Sequence, residues 1–507
     1  MTSDKLSGPR PTLITYPSSF ILIVFTLFGF ALRLYLLNRF PFREDEAIYS
    51  VWALHFWHVD PLFLKVWPDK PPVFLWSLAA AFRLFGTNQA SAQWLNVAFS
   101  TLTIPVVAAT ARRLWGERAA FWAALAFTLN PFAISFAATA YTDPLLVLAG
   151  SLAFYLALTK RSFWAGLWLG IAIMTKQQGV LYGPLVIGGL MLKGRKVRGE
   201  ERITPLLPLA ARRSLTFLGG LCLIILPIVY WDSLRWAVAP SPWDLSVRHY
   251  GELKIAPFGH WLQHLATWSG LAWYLTASWL LWGVLVMLLA YKFYGEWRNK
   301  PLSSCLPVSL SPCLLVSLWS FAFFALHVVT TVQPWDRYLL PLAPPVALLI
   351  GWLGHQLTQS AKLPRLVMAG LIGFGCLLPP ALTAAVGHLP VGGDHGAYTG
   401  LTDALHWLTV HYPQDVILYH QNLGWHENFY LYDQVATRAY ELRWFPNAVY
   451  LANDGVKPAS RRRFLVQPQW LQVRNLKLHL ATRDLMLQEC GRFGEFTVYE
   501  IVRLPAH

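Results

Sequence analysis

The fold is decided near the amino terminus, where residues 20–49 read FILIVFTLFGFALRLYLLNRFPFREDEAIY. The apolar run from Phe20 to Leu37 is long enough to cross a bilayer, and the acidic cluster Glu44-Asp45-Glu46 follows a few residues later. Carboxylates that flank a membrane are costly to dehydrate, so they tend to be kept for function. The stretch therefore predicts an uncleaved membrane anchor followed by a candidate reaction centre, with a solvated loop as the alternative.

The composition of the 507 residues indicates an integral membrane protein, because 55% of them are hydrophobic and only 13% are charged. A net charge of +15 would suggest nucleic acid binding in a soluble protein, but here the basic residues lie mainly in short loops between apolar segments. There they orient the chain in the bilayer, so no nucleic acid partner is expected. The five cysteines have no metal-ligand spacing, and we expect neither a disulfide framework nor a zinc cluster.

Apolar segments that could cross the membrane occur about 11 times, at roughly 20 residues per crossing. The predicted spans lie near residues 17–37, 91–111, 119–138, 144–159, 162–176, 178–192, 214–231, 263–290, 313–332, 338–355 and 364–386. A further apolar segment, Val73 to Phe85, is shorter and contains Arg83. We interpret it as a helix on the membrane surface, begun by Pro71 and Pro72.

The distribution of basic residues supports this topology. With Val73 to Phe85 on the surface, the inner loops carry about 19 Lys and Arg and the outer loops about 10, as the positive-inside rule requires. Ten acids of the membrane part then fall in the outer loops, namely Glu44, Asp45, Glu46, Asp60, Asp69, Asp143, Asp232, Asp244, Glu252 and Asp336. We therefore expect a multi-pass plasma-membrane protein with a cytoplasmic amino terminus and an acidic external face.

The chain divides into a transmembrane domain, residues 1–386, and a soluble domain, residues 387–507, where the composition becomes mixed. In the second domain Thr402 to His411 predicts a helix, and Val416 to His420 and Glu495 to Val502 predict strands. We expect a small extracytoplasmic α/β or α+β domain. The predicted fold class is thus mainly α, a polytopic helical membrane protein with interfacial helices in its first outer loop and this small domain at its carboxyl end.

The first outer loop contains the strongest candidate for chemistry. Within Glu44 to His58, the residues Ile48, Trp52 and Phe56 share one helical stripe, which predicts a helix along the membrane surface with its acids at the amino end. The helix dipole favours ionised carboxylates there. An ionised Asp45 could accept a proton from an attacking hydroxyl as general base, whereas the alternative is that it only caps the helix.

Two further acids are expected on the same external face. Asp69 precedes Lys70 at the start of the short interfacial helix, and Asp143 lies in Tyr141-Thr142-Asp143-Pro144 before a span. Together with Asp45 they could share a divalent cation that neutralises a phosphate. Asp143 could instead only start a helix, and Lys70 could either bind a phosphate or extend towards lipid headgroups.

Cations at the outer ends of two spans complete the candidate site. Lys176 and Arg337 could each hold a phosphate, although Arg337 could instead pair with its neighbour Asp336. The loop 233–262 carries lower-ranked candidates that could close over a substrate or belong to an aromatic interface belt. These are Arg248, His249 and Tyr250.

This pattern resembles the GT-C membrane glycosyltransferases, specifically the branch containing protein O-mannosyltransferases and lipid A aminoarabinose transferases. The resemblance covers roughly residues 17–350. The motifs that carry it are Asp45-Glu46, Asp69-Lys70-Pro71, Tyr141-Thr142-Asp143-Pro144, Thr175-Lys176 and Arg337-Tyr338-Leu339-Leu340-Pro341. One departure is Gln177-Gln178-Gly179 after Lys176, where relatives often have glycine directly after the lysine.

The resemblance implies transfer of a sugar from a polyprenyl-phosphate carrier to a hydroxyl-bearing acceptor, with inversion at the anomeric carbon. It implies catalytic roles for Asp45, Glu46 and Asp143. It implies contact with the carrier phosphate for Lys70, Lys176, Arg337 and Tyr338, and a divalent metal cation at Asp69 and Asp143 in those members that use one. The sequence does not identify the sugar or the acceptor.

Two other classes of protein compete with this interpretation. A transporter or flippase would place polar groups near the bilayer midplane and often shows inverted repeats, whereas here the charges gather at one face and no repeat is apparent. A non-catalytic carrier-binding relative of the same fold would share every motif. Only the latter would tolerate replacement of Asp45 by Asn.

Overall fold

The computed structural model describes residues 18–192, 206–250, 254–298, 311–358, 367, 370–392 and 396–505. Helices of the membrane part are α1 Ser18–Leu34, α2 Glu44–His58, α3 Pro72–Phe85, α4 Gln89–Trp115, α5 Glu117–Thr128, α6 Pro131–Ser135, α7 Asp143–Leu158, α8 Ser162–Thr175, α9 Gly183–Met191, α10 Leu206–Ser233, α11 Pro242–Tyr250, α12 Trp261–Trp273, α13 Trp279–Arg298, α14 Pro312–Val329, α15 Ala343–Thr358 and α16 Leu377–Ala385. Short 3-10 segments lie at Gln177–Tyr182, Phe258–His260 and Asp336–Leu342, and a π-helical turn at Leu371–Cys376.

Both helices predicted in the first outer loop are present. The helix α2 has the predicted bounds, with its three acids in the first turn. The helix α3 begins at Pro72, directly after Pro71 in the capping position, so the two prolines do start it. Their placement on the membrane surface stays a prediction.

By length and composition alone, four described helical segments could cross a membrane: Gln89–Trp115, Ala211–Ser233, Pro312–Val329 and Asp336–Thr358. Shorter apolar helices occur at Ser19–Leu34, Pro72–Phe85, Asp143–Leu158, Ser162–Thr175, Trp279–Gly295 and Gly373–Ala385. These segments agree with a membrane location. The count of about 11 spans and the orientation of the termini stay predictions.

Two segments expected as continuous spans are interrupted. In 119–138, α5 ends at Thr128, and Asn130 caps α6 by accepting a hydrogen bond from the Ala133 backbone N–H at 2.8 Å. In 263–290, the chain leaves helical geometry between α12 and α13, where Ala277 has a φ of +49°. These breaks were not visible in the sequence because hydropathy does not register capping or a left-handed residue.

Close packing of small residues fixes the helix that carries Lys176 at its end. The helices α8 and α10 pack along much of their length. A Cβ added at Gly166 would collide with the Phe217 carbonyl oxygen, and one at Gly220 with the Phe163 carbonyl oxygen. Glycine is required at these contacts because the backbones approach one another directly.

A buried arginine that the sequence analysis did not single out joins three helices. Arg33 of α1 is fully buried. Its guanidinium donates to Ser100 Oγ on α4 at 2.8 Å, to the Phe127 carbonyl at 3.1 Å and to the Thr128 carbonyl at 3.2 Å. The last carbonyls of α5 have no partner inside their own helix, so they can accept these bonds.

The carboxyl-terminal part contains one five-stranded sheet in the order β2-β1-β3-β5-β4. Its strands are β1 Val416–His420, β2 Tyr440–Trp444, β3 Arg462–Pro468, β4 Leu485–Phe493 and β5 Phe496–Arg503. Its helices are α17 Leu401–His411, α18 Gly424–Tyr430, α19 Tyr432–Ala436, α20 Ala448–Gly455 and α21 Leu476–Ala481. β1 pairs in parallel with β2 and β3, whereas β5 is antiparallel to β3 and β4. The predicted helix, both predicted strands and the mixed α/β character are confirmed, while the boundary at residue 387 stays a prediction.

The helix α18 packs against α2 and carries an unusual acid. Glu427 is fully buried, and neither carboxyl oxygen has a hydrogen-bond partner among the residues that the structure describes. Burial raises the pKa of Glu427 well above its ordinary value, because the charged form would lose its hydration without compensation. The folded state therefore holds this carboxyl in its neutral form.

The substitution Glu427→Gln is expected to stabilise the protein above about pH 6. Between the unfolded and folded pKa values the folded state binds more protons than the unfolded state, so wild-type stability falls as pH rises. A glutamine has no such dependence, and we expect its melting temperature at pH 8 to exceed the wild-type value by roughly 2 °C or more. Thermal melts in detergent at pH 5 and pH 8 measure this. An equal shift at both pH values would contradict burial of a titrating acid.

Candidate active site

Three ion pairs join six of the predicted site residues. Asp45 Oδ2 lies 2.6 Å from an Arg337 guanidinium nitrogen, Asp69 Oδ2 lies 3.0 Å from Lys70 Nζ, and Asp143 Oδ1 lies 2.6 Å from Lys176 Nζ. The pairs influence one another electrostatically, because Asp45 and Arg337 both act on Lys70, and Arg337 and Lys70 both act on Lys176. The segment between α1 and α4, the start of α7, the end of α8 and the late 3-10 segment therefore form one charged cluster.

Asp45 is on the first turn of α2, and its side chain is 32% exposed, whereas that of Arg337 is 7% exposed. Arg43, not Asp45, is the N-cap residue of α2. Asp336 accepts from the Arg337 backbone N–H at 2.8 Å and from the Gly392 backbone N–H at 3.0 Å. The Arg337 guanidinium is thus directed to Asp45, and Asp336 shapes the backbone of the turn.

Glu46 fixes the start of α2. Its side chain accepts from the Arg43 backbone N–H at 2.9 Å through Oε2 and from the Ala140 backbone N–H at 2.7 Å through Oε1. It is also buried. These bonds tie α2 to the loop before Asp143, and they favour a positioning role for Glu46 over contact with a reacting atom.

The Lys70 side chain is buried inside the protein. It therefore does not extend towards lipid headgroups, which was the alternative. It is 4% exposed, its Nζ donates to Tyr250 Oη at 3.1 Å, and it lies 4.6 Å from the Tyr250 ring centroid. Burial lowers the pKa of Lys70, and Asp69 opposes this effect. Burial disfavours ionised Asp69, but Lys70 together with the hydrogen bonds to Tyr250 and His249 outweighs burial, and the pKa of Asp69 is lowered. His249 Nδ1 lies 3.5 Å from Asp69, so α11 reaches the cluster through two of the three lower-ranked residues, while Arg248 is exposed.

Lys176 leaves the end of α8 in an extended conformation, with φ −157° and ψ 141°. Its ammonium lies 4.4 Å from the centroid of the Tyr338 ring. Burial lowers the pKa of Lys176 to about 8, against the opposing effect of Asp143. A lysine with this pKa holds its charge at neutral pH and loses it in mild alkali.

The two glutamines that depart from the family pattern belong to the site. Gln177 donates to the Asp69 carbonyl at 2.8 Å and to the Pro242 carbonyl at 3.2 Å. Gln178 donates to the Tyr338 carbonyl at 2.8 Å and lies 3.2 Å from His327 Nε2. The sequence analysis missed these roles and His327, although two amides directly after an apolar helix and a lysine were a usable signal.

A cavity of about 440 Å³ opens beside the charged cluster. Lys70, Lys176, Tyr250 and Tyr338 supply part of its lining. Apolar side chains contribute much of the remainder, namely Val180, Leu181, Trp243, Val247, Leu326 and Val332. Val180 is 49% exposed, so the apolar part reaches the outer surface of the helices. The cavity thus combines buried cations with an apolar lining.

In the described part of the chain, the three predicted acids do not group into a metal site. Asp45, Asp69 and Asp143 each pair with a cation, which uses the carboxylate charge that a divalent ion would need. Within the described ranges, no group of three or more His, Cys, Asp and Glu is placed to hold a metal. The metal assigned to Asp69 and Asp143 therefore stays a prediction.

Comparisons with known proteins test the resemblance to the GT-C membrane glycosyltransferases. Residues 69–231 match the family described as dolichyl-phosphate-mannose-protein mannosyltransferase. The structure is similar to the crystal structure of ArnT from Cupriavidus metallidurans bound to undecaprenyl phosphate, with a TM-score of 0.62 and 17% identity over 96% of this chain and 98% of that chain. It is also similar to the apo oligosaccharyltransferase of Archaeoglobus fulgidus, with a TM-score of 0.52 and 11% identity over 97% of this chain and 75% of that chain. No curated protein sequence matches significantly.

The chain has the GT-C membrane glycosyltransferase fold. The predicted resemblance and fold class are thereby confirmed. The family match includes Asp69, Lys70, Asp143 and Lys176, whereas Asp45 and Arg337 lie outside the matched residues. The roles of the individual site residues stay predictions.

Proposed function

We propose that the chain is a glycosyltransferase that moves a sugar from a polyprenyl-phosphate carrier to a hydroxyl-bearing acceptor at the extracytoplasmic face of the membrane. The observation that carries the proposal is the cavity that places Lys70 and Lys176 beside an apolar lining. A polyprenyl phosphate has matching chemistry, because it joins an anionic headgroup to a long apolar chain. The undecaprenyl phosphate bound by the structurally similar ArnT, together with the mannosyltransferase family match, supports this assignment.

The buried cations would stabilise the leaving group. Transfer breaks the bond between the anomeric carbon and a phosphate oxygen, so negative charge develops on the carrier phosphate. Lys70 and Lys176 line the cavity, and Arg337 lies within electrostatic reach of both. In a site that excludes water, such preorganised cations stabilise the developing charge more strongly than water does.

Asp45 would activate the acceptor. Its carboxylate is ion-paired with Arg337, and a carrier phosphate that binds Arg337 would compete for that partner. Release from the guanidinium makes Asp45 a stronger base, ready to accept the proton of the attacking hydroxyl. A single displacement of this kind forms the new bond on the face opposite the leaving phosphate, which inverts the anomeric carbon.

The proposal is tested with purified protein in liposomes that contain radiolabelled polyprenyl-phosphate sugars of several kinds. We expect one donor to lose its label to an added or co-purified acceptor. The double variant Asp69→Asn/Lys70→Gln removes both members of one buried pair, so it avoids an unpaired buried charge, and it should lower transfer at least tenfold. A folded wild-type protein that releases label from no donor would contradict the proposed function.

Alkaline pH is expected to lower kcat/KM of the wild type above about pH 8. The pKa of Lys176 is lowered to about 8 by burial, and only the protonated amine can stabilise the phosphate. Lys176→Arg keeps its charge over this range, so its alkaline limb should move upwards by at least one pH unit even if its maximal rate is lower. Initial rates between pH 6 and pH 10 measure both curves. Superimposable alkaline limbs would exclude Lys176 as the titrating group.

A further inference from the structure

The carboxyl-terminal part holds the backbone of Phe42, just before α2. The Phe42 backbone N–H donates to Tyr430 Oη at 2.9 Å, and the Phe42 carbonyl lies 3.0 Å from His426 Nε2, which is placed to donate to it. Both polar backbone groups of this residue are therefore bound by one helix, α18, nearly 400 residues further along the chain. Such two-sided attachment restrains the position of a backbone segment more than one bond does.

The attachment is surrounded by packed rings and further hydrogen bonds. The Phe42 ring is fully buried and packs on Phe429 with ring centroids 5.0 Å apart. Tyr430 Oη also donates to Gln89 Oε1 at 2.6 Å, and Gln89 Nε2 donates to the Phe40 carbonyl at 2.7 Å. The bonds therefore link α18 to α4 as well as to the segment before α2.

The restrained segment leads directly to the proposed base. Arg43, the N-cap of α2, follows Phe42, and Asp45 is in the first helical turn. Glu46 secures the other side of this turn through Ala140. The entry of α2 is thus fixed from the membrane part by Glu46 and from the carboxyl-terminal part by Tyr430 and His426.

We propose that Tyr430 and His426 are positioning residues that fix the entry of α2 and thereby hold Asp45 against the bound donor. The inference rests on the proposed function for its catalytic consequence. It gives the carboxyl-terminal domain a part in catalysis, separate from any part in acceptor binding. A general base must lie within hydrogen-bond reach of the proton it accepts, and misplacement by about 1 Å can cost a hundredfold in rate.

The test uses full-length variants that remove the bonds and retain the rings. Tyr430→Phe removes the hydroxyl, and His426→Phe removes the donor but keeps an aromatic ring against Tyr398, whose centroid lies 4.5 Å away. Tyr432→Phe is the matched control, because its ring lies 5.8 Å from that of His58 at the opposite end of α2. We expect kcat to fall about tenfold for each single variant and about a hundredfold for the double variant, and to remain unchanged for the control.

Two readouts separate positioning from general damage. Binding of a polyprenyl phosphate should remain within twofold of wild type in the double variant, because Lys70 and Lys176 lie elsewhere. Hydrogen exchange of the backbone amides from Phe42 to Ala47 should accelerate at least tenfold, while amides of α7 exchange as in the wild type. Fold loss would instead affect carrier binding and the exchange of both regions.

The outcomes distinguish this inference from the proposed function. A double variant with wild-type kcat, or with wild-type exchange at Phe42, would overturn the positioning role, as would a parallel loss of carrier binding. A wild-type protein that transfers no sugar would remove the proposed function, but the exchange comparison would still decide whether α18 restrains the entry of α2. Accelerated exchange supports the restraint, and unchanged exchange excludes it.

Discussion

Asp45→Asn is expected to lower kcat about a thousandfold, because asparagine cannot accept the proton of the attacking hydroxyl. Binding of the carrier should be unchanged or several-fold tighter. Arg337 loses its carboxylate partner in this variant and becomes free for the phosphate. Single-turnover transfer and equilibrium binding of a polyprenyl phosphate measure the two effects separately.

The matched control for this variant is Glu44→Gln. Glu44 is in the same helical turn and is exposed, so loss of its charge should change kcat by less than twofold. Near-normal turnover by Asp45→Asn would exclude Asp45 as the base. Such a result would favour either another base or a relative that binds the carrier without catalysis.

Arg337→Gln is expected to lower kcat by about two to three orders of magnitude and to raise the donor KM. Arg337 is the more buried member of its ion pair with Asp45. Without the positive charge of Arg337, the negative charge that develops on the leaving phosphate is less stabilised. Arg337→Lys should retain part of the activity, since it keeps the charge but loses the guanidinium, whose carbon lies 4.8 Å from the Tyr141 ring centroid. Steady-state kinetics with a short-chain donor measure these differences.

An exposed arginine provides the control for Arg337. Arg39 lies between α1 and α2 and contacts the Tyr35 ring. Its replacement by Gln should leave kcat and the donor KM within twofold of the wild-type values. A donor KM and kcat that remain at wild-type values in Arg337→Gln would show that the phosphate binds elsewhere. In that case the ion pair with Asp45 would be structural.

Much of the local structure could be predicted from the sequence. The bounds of α2 follow from its apolar stripe and acidic start, and the start of α3 follows from consecutive prolines. The strand Val416–His420 follows from a short run of apolar residues, and Phe496–Arg503 follows from a partial alternation of apolar and polar residues. These signals act over a few residues, so one sequence is sufficient to read them.

The partners of the charged residues could not be predicted in the same way. The sequence placed Asp45, Lys70, Lys176 and Arg337 on one face, but local spacing left Asp336 as an equally reasonable partner for Arg337. In the folded chain Arg337 pairs with Asp45, which lies far away in sequence. Long-range pairing depends on helix packing, which hydropathy and spacing do not specify.

The attachment of α18 to Phe42 could not be predicted from the sequence at all. It uses the backbone groups of Phe42, which no side-chain motif marks, and its partners Tyr430 and His426 occur in a domain without recognisable motifs. The Asp45-Glu46 motif groups Glu46 with the catalytic acids. In the structure both carboxyl oxygens of Glu46 accept backbone hydrogen bonds, which favours a positioning role. Burial and satisfied bonds, rather than residue type, separate positioning acids from reactive ones.

The central claim is that Lys70 and Lys176 bind the phosphate of a polyprenyl carrier whose chain occupies the adjoining cavity. The most direct measurement is a cryo-electron microscopy structure of the wild-type protein in nanodiscs with a polyprenyl phosphate. We expect phosphate density within hydrogen-bond distance of Lys70, Lys176 or Arg337, with the prenyl chain along Val180 and Leu326. A phosphate bound at another surface, with the cavity still free of lipid, would contradict the account.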